Sequence, residues 1–237
     1  PGRFLSRSSQ RTMGAFPHPV RPLYTLRHRK HKYHAFGQLP QSDQFVRANR
    51  WVDGAFPLTR KVSGAKLGIV GIGRIGQAIA QRAAAFGMDI SYNARSAKAD
   101  LPFTYVADVV ELAEKVDFLV AITPGGAGTR HLINAKVLQA LGPQGYLINV
   151  ARGSVVDEAA LIESLQNHTI AGAALDVYQD EPRVPEALRA LPNVVLTPHM
   201  ASGTSETRKA MSDLALANLQ AHLAGSPLLT PVPECRT

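Results

Sequence analysis

Lys66-Leu67-Gly68-Ile69-Val70-Gly71-Ile72-Gly73-Arg74-Ile75-Gly76 is the stretch on which the fold turns. A short apolar run leads directly into glycines spaced two and three apart, and the residues beyond them have helical character. Gly71 permits a tight turn, Gly73 lets the backbone approach a pyrophosphate, and Gly76 lets the new helix pack closely on the strand. The N–H groups of Arg74 and Ile75 open that helix, so they face an anion at its positive end. Such glycines are weak evidence by themselves. With a strand before them and a helix after, they read as a dinucleotide-binding turn rather than a structural one.

Outward from the turn, apolar runs alternate with amphipathic stretches. Residues 66–70, 89–92, 117–122, 146–150, 170–175 and 194–196 read as strands. Residues 74–86, ended by Gly87, read as a helix, as do 106–115, 135–141, 157–167 and the long 205–224. The alternation predicts an α/β fold, a doubly wound parallel sheet of Rossmann type covered on both faces. Ahead of it, residues 40–43 open a helix carrying Phe45, Val46, Ala48 and Trp51 at helical spacing, and a loop with Gly54, Pro57 and Gly64 comes next. Phe45 and Trp51 read as packing or dimer-contact residues. The expected organisation is a basic extension at 1–36, a linking helix and loop at 37–61, a dinucleotide-binding domain at 62–201, and a C-terminal helix and tail at 202–237.

The formal charge of +8 suggests a nucleic-acid partner until it is located. Arg3, Arg7, Arg11, Arg21, Arg27, Arg29, Lys30 and Lys32 all lie in the first 36 residues, which contain no Asp or Glu; the rest of the chain holds 18 basic and 18 acidic residues. The basicity therefore belongs to a tail. Without a recognition motif, that tail reads as a disordered extension rather than a nucleic-acid arm or a targeting peptide. No apolar run is long enough for a membrane span. Cys235 is the single cysteine, so a disulfide framework is excluded and a reducing, cytoplasmic setting is expected.

An acidic residue at the end of the second strand would bind a ribose 2′-hydroxyl. The chain instead reads Tyr92-Asn93-Ala94-Arg95-Ser96, with Lys98 nearby. No carboxylate repels a 2′-phosphate there. Arg95 can pair with that phosphate and Ser96 can donate to it, so NADP(H) is expected to be preferred over NAD(H).

Three further segments end strands on the same side of the sheet: Asn149-Val150-Ala151-Arg152-Gly153, the run from Leu175 and Asp176 to Glu181-Pro182, and Leu196-Thr197-Pro198-His199. Singly each is a bland loop; jointly, downstream of a glycine turn, they form a catalytic candidate set. In this order and spacing they resemble the D-isomer-specific 2-hydroxyacid dehydrogenases, over residues 37–233. Residues 92–96 and 123–131 are most similar to the glyoxylate/hydroxypyruvate and hydroxyphenylpyruvate reductases of that family. The resemblance implies hydride transfer between NAD(P)H and a 2-oxo or 2-hydroxy acid. It implies that Arg152 binds the substrate carboxylate and polarises its carbonyl, that His199 is the acid and base, and that Glu181 orients His199 and keeps it protonated near neutrality. It also implies that Asp176 meets the nicotinamide carboxamide. Thr123, Pro124 and Thr129 would line the dinucleotide, with Asn93, Val150 and Ala151 beside it. No metal is implied, and a homodimer is.

The same resemblance implies that most of a substrate domain precedes the helix near residues 38–51. Residues 1–36 do not resemble it. The substrate domain is thus expected to be incomplete, turnover by the chain alone to be low, and Met211, Leu214, Leu216 and Leu219 of the last helix to be exposed. Two rivals share the fold: an NAD(H)-binding corepressor-like adaptor, which the basic tail would suit, and a formate dehydrogenase. Residues 92–96 argue against the adaptor, and residues 123–131 against the formate enzyme.

Overall fold

The computed structural model describes residues 38–231. The basic extension at 1–36, Cys235 and the end of the tail lie outside the described residues. Helix α1 (Leu39–Arg47) and a 3₁₀ turn at Arg50–Val52 come first. The sheet region then runs β1 (Lys66–Val70), α2 (Arg74–Ala84), β2 (Asp89–Asn93), β3 (Thr104–Tyr105), α3 (Val109–Glu114), β4 (Phe118–Ala121) and α4 (Ala135–Leu141). It continues with β5 (Tyr146–Asn149), α5 (Glu158–Gln166), β6 (Gly172–Leu175), α6 (Glu186–Arg189) and β7 (Val194–Leu196), and ends in α7 (Ser205–Leu223). All seven strands are parallel, in the order β3-β2-β1-β4-β5-β6-β7. The chain winds outward from β1 and then returns to lay β4 beside β1. The winding direction reverses there, and ligands of such sheets bind at the carboxyl ends of the strands on either side of the reversal.

The strands are apolar on both faces because both faces are covered. Phe118 and Val120 of β4 pack with Ile79, Ala80 and Ala83 of α2. Their neighbours Leu119 and Ala121 point the other way, into a cluster with Leu112 of α3, Leu138 of α4 and Leu161 and Leu165 of α5. Each large side chain sealed in this way contributes on the order of 1.5–3 kcal/mol. Side-chain caps fix where several helices begin. Asp108 accepts from the N–H groups of Val110 and Glu111, Asn134 from Lys136 and Val137, Asp157 from Ala160, and Thr204 from Thr207. At the amino end of the sheet Asp117 accepts from Arg60 at 2.6 Å and from the Lys66 N–H at 2.8 Å, which ties the linking loop beneath β1 and β4.

The structure corrects several expected boundaries. The stretch expected to be helical over 106–115 begins only at Val109; the Val106 N–H still bonds to the Tyr92 carbonyl at 2.9 Å, and Asp108 is the cap. Just before it, β3 adds an edge strand that the sequence reading lacked. Helix α2 stops at Ala84, two residues short of Phe86, and Gly87 turns the chain at a φ of +66°. Helix α1 ends before Asn49, whose φ is +56°, so Trp51 is not on its face. Phe45 packs edge-to-face against Phe56 at 5.3 Å, whereas Trp51 is 68% exposed. Gln41 joins α1 to the edge strand β7 through the carbonyls of Pro192 and Val194. No residue of α7 is buried, and Met211, Leu214, Leu216 and Leu219 all stand exposed. No helix among the described residues is long and apolar enough to cross a membrane.

Candidate functional site

Because the strands are parallel, every loop of interest leaves the same edge of the sheet. The glycine turn comes directly after β1. Gly71 has a φ of +104°, and a Cβ there would sit 2.9 Å from the Thr123 backbone nitrogen. A Cβ on Gly76 would overlap the Gly71 carbonyl, so α2 can lie this close to the turn only without a side chain. Gly73 is different, since a Cβ would meet nothing within 4 Å. Its surroundings leave room for a ligand to reach the backbone, and α2 begins there with no side-chain cap. Arg74 and Ile75 are both exposed beside it. These features fit a pyrophosphate at the start of α2.

The loop after β2 carries Arg95 and Ser96, both exposed, with no hydrogen bond or ion pair of their side chains among the described residues. Asn93 points elsewhere: its amide donates to the carbonyls of Val106 and Ala107 at 3.0 and 2.8 Å. After β4, the Thr129 hydroxyl donates to the Pro124 carbonyl at 2.7 Å and holds that loop folded over Gly126.

The turn after β5 is shaped by buried Asn149. Its carbonyl oxygen accepts from the Ala151 N–H at 3.1 Å, and its amide donates to the Arg152 carbonyl at 3.1 Å. Val150 and Ala151 are thereby fixed at the sheet edge. The Arg152 side chain is exposed, its stem lies against Gly125, and one guanidinium nitrogen donates to the Ala151 carbonyl at 2.6 Å. Among the described residues no hydrogen bond or ion pair joins Arg152 to Glu181 or His199. Gly153 is pressed against the next loop, where a Cβ would overlap the Tyr178 carbonyl.

Asp176, at the end of β6, is 2% exposed and organises the loop after β7. One oxygen accepts from the Thr197 hydroxyl at 2.6 Å and the Met200 N–H at 2.9 Å; the other accepts from the Ala201 N–H at 2.9 Å. The carboxylate thus grips both sides of His199. The His199 backbone has a φ of +49°, uncommon for a residue with a side chain, and three bonds to one buried carboxylate can sustain it.

His199 Nδ1 lies 2.7 Å from Glu181 Oε2, and the other carboxylate oxygen accepts from the Tyr178 N–H at 3.0 Å. Burial works against charge on Glu181, but the bonds to His199 and the Tyr178 N–H outweigh it and hold the carboxyl below its ordinary range. Tyr178 is buried, and burial pushes its phenol up to about 12, so it stays a donor to the Thr197 carbonyl at 2.9 Å. The pair opens on a cavity of about 300 Å³ lined by Tyr178, Val184, Arg189, Leu196 and Pro198. No cluster among the described residues could hold a metal ion.

The resemblance paired Glu181 with His199, and in the structure the two side chains do meet, at 2.7 Å. Sequence reasoning missed Asn149, Tyr178 and Thr197 as residues that shape the site. The signals were faint: a buried amide and hydroxyls at strand ends, each meaningful only with its partner loop in place.

The model for the D-isomer specific 2-hydroxyacid dehydrogenase NAD-binding domain matches residues 33–201. The chain is 52% identical over 192 residues to a hydroxyphenylpyruvate reductase of Plectranthus scutellarioides, covering 81% of this chain and 61% of that protein. It is 50% identical over 195 residues to a glyoxylate/hydroxypyruvate reductase of Arabidopsis thaliana, covering 82% and 62%. Among solved structures, an NADPH-dependent glyoxylate/hydroxypyruvate reductase of Sinorhizobium meliloti, in complex with NADP and malonate, superposes with a TM-score of 0.82 at 53% identity, covering 86% of this chain and 64% of that one. The chain thus spans less than two thirds of the length of these relatives.

Proposed function

Because the chain belongs to the D-isomer-specific 2-hydroxyacid dehydrogenases, with their NAD-binding domain, we propose that it carries the cofactor and proton-transfer half of an NADPH-dependent reductase of small 2-oxo acids, glyoxylate and hydroxypyruvate among them. The observation that carries this reading is the His199–Glu181 pair at 2.7 Å, on the same edge of the sheet as the glycine turn. When bound, the cofactor supplies a hydride to the substrate carbonyl carbon. Arg152 holds the substrate carboxylate and polarises the carbonyl. Nδ1 of His199 is taken by Glu181, which leaves Nε2 to give a proton to the carbonyl oxygen as the alcohol forms.

The turn from Gly71 through Gly73, Arg74 and Ile75 to Gly76 would receive the pyrophosphate. Asn93, Thr123, Pro124, Thr129, Val150, Ala151 and Asp176 would border the rest of the dinucleotide. Arg95 and Ser96 would hold a 2′-phosphate, in keeping with the NADP bound to the Sinorhizobium meliloti relative. The named relatives are reductases, which favours this reading over the adaptor. We further propose a cytoplasmic homodimer, with exposed Trp51 and Val52 available as contacts.

Loss of NADPH absorbance with glyoxylate and hydroxypyruvate tests the reading, using the chain alone and the chain fused behind the N-terminal portion of the Sinorhizobium meliloti reductase. The fusion is expected to turn over, and His199→Ala to slow it roughly 10²–10⁴-fold with NADPH affinity kept. A fusion that binds NADPH but reduces neither acid, or a His199→Ala variant with undiminished turnover, contradicts the assignment.

A further inference from the structure

We propose that Tyr92 and Tyr105 are positioning residues that set cofactor preference, by pinning the two ends of the short loop that presents Arg95 and Ser96. The proposal rests on the reading of that loop as the 2′-phosphate site.

Residues 94–98 leave the carboxyl end of β2 near the edge of the sheet. Beside the packing of Ala94 on the core and the Leu101 N–H on the Lys98 carbonyl at 3.3 Å, two phenols support them. Tyr105, on β3, donates its hydroxyl to the Ala94 carbonyl at 3.2 Å and holds the start of the loop. Tyr92, on β2, accepts from the Lys98 N–H at 2.7 Å and reaches the Lys98 carbonyl at 3.4 Å, holding the end. The rings pack on each other with centroids 5.6 Å apart. Tyr92 is 1% exposed, so its hydroxyl stands on a ring anchored in the core. At the base of the same loop, Asn93 ties β2 to the turn after β3.

Between the two pinned points stand Arg95 and Ser96. An exposed arginine loses conformational freedom when it grips a phosphate, and a fixed backbone reduces what must be ordered on binding. Neither tyrosine hydroxyl needs to touch the cofactor. Each acts through the loop, so removing one should weaken only the ligand that uses the loop. NADPH carries the 2′-phosphate and NADH does not, while both use the glycine turn.

The test is fluorescence titration of the full chain with NADPH and NADH, for wild type, Tyr92→Phe, Tyr105→Phe and Arg95→Ala. Phenylalanine keeps each ring, and unchanged NADH affinity reports an intact domain. Arg95→Ala is expected to weaken NADPH roughly 10–150-fold, the range for hydrogen bonds to charged groups. Tyr92→Phe and Tyr105→Phe are each expected to weaken NADPH roughly 2–12-fold, as for loss of one neutral hydrogen bond, and to leave NADH unchanged. Tyrosine variants that weaken both cofactors equally would show a general structural role and overturn the proposal. Variants with an unaltered NADPH to NADH ratio beside a sensitive Arg95→Ala would overturn it too, leaving the phosphate site standing. An insensitive Arg95→Ala would remove the phosphate site itself, and the proposal with it.

Discussion

His199 illustrates how a single residue is set in place for the proposed chemistry by others far from it in sequence. Its own features, a histidine after a proline at a strand end, say little. What makes it useful is Asp176 holding the loop on either side and Glu181 holding the ring. In the proposed reaction Arg152 would act on a different part of the substrate, so Arg152→Ala should raise KM and lower kcat together in steady-state assays of the fusion; a change in KM alone would mean that the carbonyl is polarised by something else. The Glu181 carboxyl titrates below its ordinary range in the folded chain. Its contribution to stability is therefore present above the ordinary carboxylate pKa and lost as pH falls through the depressed one. The Tm gap between wild type and Glu181→Gln should be widest near neutrality and close in acid; a gap that widens in acid would reverse the assigned shift. Residue identities on this edge were legible in the sequence, and through the resemblance so was the Glu181–His199 pair, but the partners of Asp176 and Asn149 were not. The resemblance implies that Asp176 is a cofactor contact; what it did not reveal is that the Asp176 oxygens accept from loop donors more than twenty residues away, a pairing that the β6–β7 register creates.

Elements were legible in proportion to their length and burial. β1, α4 and β7 match the sequence reading, because an apolar run or a clear periodicity fills each one. β3 has two residues, too few for any period, and exists because Ser91 and Tyr92 offer it an edge. The helix expected from Val106 starts later because Asp108 can cap and Val106 still has a sheet partner. The loops after β5 and β6 behave as one element, since Gly153 fits under the Tyr178 carbonyl only without a side chain. Gly153→Ala should therefore cost about 1–3 kcal/mol in denaturant unfolding, the usual range for overpacking. It should also disturb the loop that carries Glu181. An alanine variant as stable as wild type would mean that the two loops separate freely.

At the scale of the whole molecule, parallel winding does the gathering. Loops distant in sequence meet at one edge of the sheet, and a doubly wound parallel sheet was predictable because strands alternated with helices. The region beyond the sheet was less legible. The last helix was read as amphipathic; in the described structure Met211, Leu214, Leu216 and Leu219 stand exposed, and no residue of α7 is buried. The central claim is that binding and chemistry share the carboxyl edge of one sheet. A crystal structure of the chain fused behind the N-terminal portion of the Sinorhizobium meliloti reductase, grown with NADP and malonate, tests this most directly. The account predicts the pyrophosphate over Gly73 at the start of α2, the 2′-phosphate on Arg95 and Ser96, and malonate between Arg152 and His199. A dinucleotide seated away from the glycine turn, or malonate bound out of reach of His199, would contradict it.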